Sequence, residues 1–83
     1  MNTERKSRAA VAQPVQILAA PEAMLNIETV KLVTGLSRAT IYRRMADPED
    51  DFPRPVRISK NTVRWPAGVI SAWLRKMAEP APA

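Results

Sequence analysis

The chain contains no cysteine and no histidine. Disulfides, thiolate and imidazole metal sites, and any catalytic triad built on histidine are therefore excluded. The lack of cysteine also agrees with a reducing compartment. Glycine occurs only twice, so there is no glycine-rich phosphate loop, and no pair of carboxylates lies within apolar sequence. No apolar run approaches the roughly 20 residues of a membrane-spanning helix. The N-terminus does not read as a signal peptide, because Arg5, Lys6 and Arg8 lead into a stretch broken by Gln13, Pro14 and Gln16. Aromatic residues are few, with no repeated platform of the kind that stacks single-stranded bases, and no internal repeat is visible.

Against these absences stands an excess of base. The 83 residues carry a formal charge of +5 and a pI near 10.5. Such a balance favours a polyanionic partner. Ten basic and five acidic residues fall within positions 24–78, and four of those acids (Asp47, Glu49, Asp50, Asp51) cluster in one short stretch. The remainder of that region is more basic still. A length of 83 residues allows one small domain with a thin core.

Composition divides the chain into three. Residues 1–23 have few large apolar side chains and contain Pro14 and Pro21; they read as a disordered basic arm. Residues 24–78 form the folded domain, and the Pro/Ala-rich residues 79–83 a flexible tail. Within the domain, Ile27, Val30 and Val33 mark the buried face of a short helix over 28–34, closed by Thr34-Gly35 with the glycine left-handed. Leu36 leads into Ser37, an N-cap for a second helix over 38–46 in which Ile41 and Met45 face inward. An acidic, proline-rich loop follows. "VRIS" and "TVRW", joined by Lys60-Asn61, then read as a two-stranded hairpin, with Asn61 tolerating a left-handed turn. Pro66 suits the first position of a third helix, whose core face is Ile70, Trp73, Leu74 and Met77. Trp65 and Trp73 are packing residues.

Two helices joined by a glycine-containing turn, then a basic hairpin and a packing helix, predict a mainly α fold: three helices plus a two-stranded β-hairpin wing, a winged helix-turn-helix. The helix over 37–45 contains Arg38, Arg43 and Arg44, hydroxyls at Ser37, Thr40 and Tyr42, and no acid. A helix with these donors fits the major groove of duplex DNA, where arginine suits guanine O6/N7 and the helix N-terminus suits phosphate. Arg57 and Arg64 are read as projecting from one face of the hairpin, with Lys60 and Asn61 at its tip, to hold the backbone or enter the minor groove. An acid-free helix favours DNA contact over a solubilising surface, which usually mixes signs. Tyr42 is read as more core than stacking group. Glu49, Asp50 and Asp51 are read as solvated, since a Ca²⁺ loop needs more widely spaced oxygens.

The elements "TGLSRATIYR", "FPRPVRI", "VRWP" and "AWL" together resemble the AlpA family of phage and prophage regulators, related to phage excisionases and to the DNA-binding domain of the MerR group. The resemblance runs from Leu25 to about Arg75. It implies a winged-helix fold, double-stranded DNA as partner, and a role as transcriptional regulator or recombination directionality factor. Its recognition helix falls on residues 37–45 and its wing on 57–64. The loop "ADPEDD" is longer and more acidic than the family's short link, and Ser59 stands where glycine is common. Met24 lies almost where a family member begins, so the arm is read either as preceding the true start or as dispensable for folding.

The sequence thus predicts a cytoplasmic, nucleoid-associated DNA-binding protein, not an enzyme, with no cofactor, no metal and no membrane partner. One small domain reads few base pairs, so self-association or cooperative binding on repeated sites is expected, and an integrase or recombinase is a further partner. The competing class is a protein-interaction adapter whose basic face meets an acidic protein.

Overall fold

The computed structural model of the chain describes residues 11–79. Helix α1 spans Ile27–Thr34. It starts where Asn26 Oδ1 accepts from the Thr29 amide at 2.9 Å and stops at Gly35, whose φ of 75° places it in the left-handed region. A Cβ at Gly35 would meet nothing within 4 Å, so the backbone angle alone selects glycine there. Helix α2, Arg38–Ala46, begins at the expected cap, with Ser37 Oγ accepting from the Thr40 amide at 3.1 Å. The two helices join through the Gly35–Ser37 turn and bury Val30 and Ile41.

Three strands make one antiparallel sheet in the order β1-β3-β2, with β1 Met24–Leu25, β2 Val56–Ser59 and β3 Thr62–Pro66. Strand β1 was not legible as a strand, because two residues show no periodicity. It pairs Leu25 with Trp65 and Met24 with Pro66. Helix α3, Ala67–Ala78, turns Ala67, Ile70 and Trp73 inward. Pro66 closes β3 and caps α3 from outside rather than opening the helix, and Met77 is exposed rather than core. The core is Leu25, Val30, Ile41, Phe52, Trp65, Ala67, Ile70 and Trp73. Phe52 comes from the loop read as irregular and solvated; its ring meets Trp73 edge-on, with centroids 5.0 Å apart.

The largest departure from the sequence reading concerns the arm. Residues 1–10 lie outside the described residues, but 11–23 are not disordered. Val15–Ala19 form a 3₁₀ turn, and Ile17, Leu18 and Ala23 pack against the core. The carbonyls of Ala23 and Pro21 accept from the Ala67 and Gly68 amides at 2.7 and 3.0 Å. Those two donors open α3, whose cap Pro66 has no side-chain acceptor, so the preceding chain satisfies them. A Cβ on Gly68 would come within 3.2 Å of the Pro21 oxygen, so a larger residue fits here only if the segment at Pro21 gives by a few tenths of an ångström. Gln13 completes the attachment: its amide donates to Thr29 Oγ1 at 2.7 Å, its Nε2 to the Met24 carbonyl at 3.1 Å, and its Oε1 accepts from the Asn26 amide at 2.9 Å. Thr29 is fully buried, and its hydroxyl lies 2.8 Å from both Gln13 Oε1 and Asn26 Oδ1. Small polar and alanine-rich composition hid this segment because its attachment runs through backbone groups and one glutamine, not through large apolar side chains. The tail beyond Glu79 lies outside the described residues.

Candidate nucleic-acid interface

The helix α2 presents Ser37, Arg38, Tyr42 and Arg43 as exposed residues, while Thr40 and Arg44 are half-buried. Tyr42 is 45% exposed, which moves it from the core assignment to the outer surface. Its neighbour Ile41 takes the core position, since adjacent residues on a helix face about 100° apart. Thr40 Oγ1 accepts from Ser37 Oγ at 3.0 Å, so these two hydroxyls are tied together at the leading end.

The three arginines of α2 have different surroundings. Arg38 donates to Glu28 Oε2 at 2.6 Å, and Lys31 meets the other oxygen of the same carboxylate at 3.1 Å. Hydrogen bonding from Lys31, then from Arg38, holds the Glu28 carboxyl below the usual glutamate range. Arg43 is exposed and makes no ion pair among the described residues. Arg44 turns back: its Nε donates to Asp50 Oδ2 at 3.0 Å, and its guanidinium sits 5.8 Å from the Phe52 ring centroid and 5.3 Å from that of Trp73. With only 28% of its side chain exposed, Arg44 faces the acidic loop and not outward as its helical position suggested.

That loop is a built structure. Asp50 accepts from Arg44 and, through its other oxygen, from the Phe52 amide at 2.9 Å, and both bonds lower its carboxyl from the ordinary aspartate value. Asp51 accepts from Lys76 at 2.7 Å and from the Trp73 indole at 3.3 Å; these contacts lower Asp51 and raise Lys76. Arg54 donates to the carbonyls of Phe52, Asp47 and Asp50, and the Trp65 indole donates to Pro53 O at 3.0 Å. The reading of Asp50 and Asp51 as simply solvated is therefore corrected: they tie the loop to α2 and α3. Arg54 and Phe52 were missed as organising residues. A lone phenylalanine among acids and prolines was the available signal.

The wing is corrected in register. A two-residue turn at Lys60–Asn61 pairs Ser59 with Thr62, and an uninterrupted ladder would then set Arg57 opposite Arg64 on one face. A bulge between Arg57 and Ser59 shifts the ladder by one. Arg57 pairs with Val63 and Arg64 with Val56, so the two arginines lie on opposite faces of the hairpin. The turn is made without positive φ at Asn61, contrary to the left-handed reading. Such a turn lacks the twist of the primed types, and a bulge increases the right-handed twist that the strands require. Arg57 donates to the Lys60 carbonyl at 3.0 Å and Arg64 to the Val63 carbonyl at 2.9 Å. Each guanidinium keeps its charge and most of its five donors. Lys60 and Asn61 are exposed at the tip.

The model of the prophage CP4-57 regulatory protein AlpA matches residues 23–78. The chain belongs to the AlpA family. The match begins two residues before the end of β1 and closes at the last residue of α3, so it contains both the helix-turn-helix and the wing. No curated protein and no solved structure matches the chain. In this AlpA-family protein the helices, the turn between them and the β-wing have the arrangement of a winged helix. Among the described residues, no helix is long and apolar enough to cross a membrane, and no cluster of acidic residues could hold a metal ion.

Proposed function

We propose that this AlpA-family protein is a sequence-specific double-stranded DNA-binding regulator of phage, prophage or mobile-element transcription. Helix α2 enters the major groove through Ser37, Arg38, Tyr42 and Arg43, and the wing grips the flanking backbone or minor groove with Arg57, Lys60, Asn61 and Arg64. The observation that carries this reading is the exposed, acid-free outer face of α2 within a helix-turn-helix, with Arg43 unpaired among the described residues. Groove readout needs such a helix, with hydrogen-bond donors free to reach base edges. Arg44 is set back from this surface, since its Nε is bonded to Asp50 and its guanidinium lies against the Phe52 and Trp73 rings.

Selection of bound sequences from random duplexes, followed by footprinting, is the test. A defined motif with protection in adjacent major and minor grooves is the expected outcome, and repeated half-sites would give the copy number. Transcriptional regulation and control of excision are two outcomes of the same binding act, separated by whether the motif maps to promoters or to attachment sites. Absence of duplex binding at low salt would overturn the reading and favour an adapter that docks its basic face on an acidic protein.

A further inference from the structure

Arg38 stands at the leading end of α2, and its side chain's only hydrogen-bond partner among the described residues is Glu28 of α1, ten residues earlier in the chain. The bond therefore crosses the Gly35–Ser37 turn and joins the two helices of the helix-turn-helix. Glu28 uses both oxygens at once. Oε2 accepts from Arg38 Nη2 at 2.6 Å, and Oε1 from Lys31 Nζ at 3.1 Å. The Glu28 side chain is 17% exposed, against 48% for Arg38, so the acid is sheltered and the arginine reaches out past it. Glu28 and Lys31 also line one shallow groove with Gly35 and Ser37, which puts this carboxylate beside the cap of α2. Ion pairs at a surface contribute little to stability, so stability does not account for an acid set between two cations where a polyanion is to bind. A carboxylate there repels phosphate and lowers affinity for any duplex.

We propose that Glu28 is a specificity-determining residue of the interface: it positions Arg38 for one base edge and withholds Arg38 and Lys31 from indiscriminate phosphate contact. The inference deepens the DNA-binding reading above and rests on it. A guanidinium has five N–H donors, and the bond to Glu28 uses one of them. The others stay available for a paired contact to a base edge such as guanine O6/N7, while the bonded end fixes the plane of the group. Rotamer freedom already given up in the free protein is not lost again on binding. At an unrelated sequence no matching base edge compensates for the repulsion, and a phosphate must displace Glu28 to reach either cation. Hydrogen bonds from Lys31 and then Arg38 hold the Glu28 carboxyl below the usual glutamate range, so the charge is present at neutral pH.

The test measures binding to the selected duplex, to its single-base variants and to an unrelated duplex across a salt series. Arg38→Ala first locates the base position that Arg38 reads. Glu28→Gln then narrows the preference at that position by about 5-fold or more, the lower end of what one bidentate contact discriminates. It also steepens the slope of log K against log salt on the unrelated duplex by about 1 to 2, near 0.9 for each released cation. In the Arg38→Ala background, Glu28→Gln changes the base preference no further, as expected of a residue that acts through Arg38. Glu28→Asp keeps the charge but is one methylene too short to hold both cations, so it narrows the preference as well. Glu49 is exposed and makes no ion pair among the described residues, so Glu49→Gln is the control for net charge. It strengthens binding to both duplexes alike and leaves the preference intact. Binding is read well below each variant's thermal midpoint, so loss of fold is not mistaken for loss of preference. The proposal is overturned if Arg38→Ala relaxes no base position, if Glu28→Gln loses as much preference without Arg38 as with it, or if Glu28→Asp behaves as the parent. Absence of duplex binding by the full chain at low salt overturns the functional reading and this proposal together. Equal selectivity of the full chain and Glu28→Gln overturns only the role of Glu28.

Discussion

Along α2, the arginines near both ends are held by acids, Arg38 by Glu28 and Arg44 by Asp50, whereas on the wing Arg57 and Arg64 donate only to carbonyls of their own hairpin. The helix is seated on a core, with Ile41 beneath it and Phe52 and Trp73 against Arg44. Strand β2 is exposed along its whole length. A surface that discriminates between bases gains from side chains fixed in advance, because less rotamer freedom is lost on binding. A surface that holds phosphates needs charge and reach more than fixed geometry. On the proposed DNA-binding reading, the contrast would give specificity to α2 and general affinity to the wing, and it singles out Arg43 as the arginine of α2 with no ion pair among the described residues.

The strongest way to break the contrast is to remove what seats the helix. Phe52→Ala is expected to destabilise the fold by about 3–5 kcal/mol, read by denaturant unfolding, since it opens a cavity beneath Arg44 and Trp73. In a domain this small, much of α2's rigidity would go with it. Next, Arg43→Ala is expected to weaken the selected duplex by about 1–3 kcal/mol and to relax preference at one base position, with no change in thermal midpoint. Retention of full sequence preference would remove Arg43 from its assigned role. Arg57→Ala together with Arg64→Ala sharpens the other side of the comparison. Affinity should fall for all sequences alike, and the salt slope should become shallower by about 2. A change in preferred sequence would instead show that the wing reads bases.

Arg44→Ala separates scaffold from contact. Loss of its contacts over the two rings is expected to lower stability on the order of 1 kcal/mol, while the selected motif stays the same. The smallest effect is that of pH. Asp50, Asp51 and Glu28 have carboxyls lowered by their partners, so their contribution is fully present above the ordinary carboxylate range of about 4 and is lost as pH falls through the lowered folded values. Thermal midpoints should be flat near neutrality and decline in acid, and Asp50→Asn should make that decline shallower. The Lys76 partner of Asp51 is raised, so its contribution holds below the ordinary lysine value and fades only as pH rises beyond it. No wing arginine has an acid partner among the described residues, so Arg57→Ala should leave the acid dependence as it was.

How far the sequence could be read depended on the range of the interactions. The Gly35 turn, the Ser37 cap, the bounds of α2 and the packing of both tryptophans follow from local rules: a backbone angle only glycine takes readily, a hydroxyl reaching an amide three residues on, and apolar spacing near the helical period. The helix-turn-helix and its most exposed residues were legible for that reason. Non-local choices were not. Segment 11–23 is held by Gln13, Pro21 and Ala23 acting on partners up to 47 residues away, and no local pattern announces such a bond.

Composition and spacing alone determined the basic domain, its three helices, the two-residue hairpin turn and the identity of the arginines. Tertiary structure decided which arginine is available. Arg44 falls toward Asp50 because Phe52 and Trp73 bring that loop beneath it, and Arg57 parts from Arg64 because a bulge slips the ladder by one residue. A one-residue slip reverses the face of each side chain beyond it, and a guanidinium follows the nearest carboxylate. Both are settled only once distant segments have met.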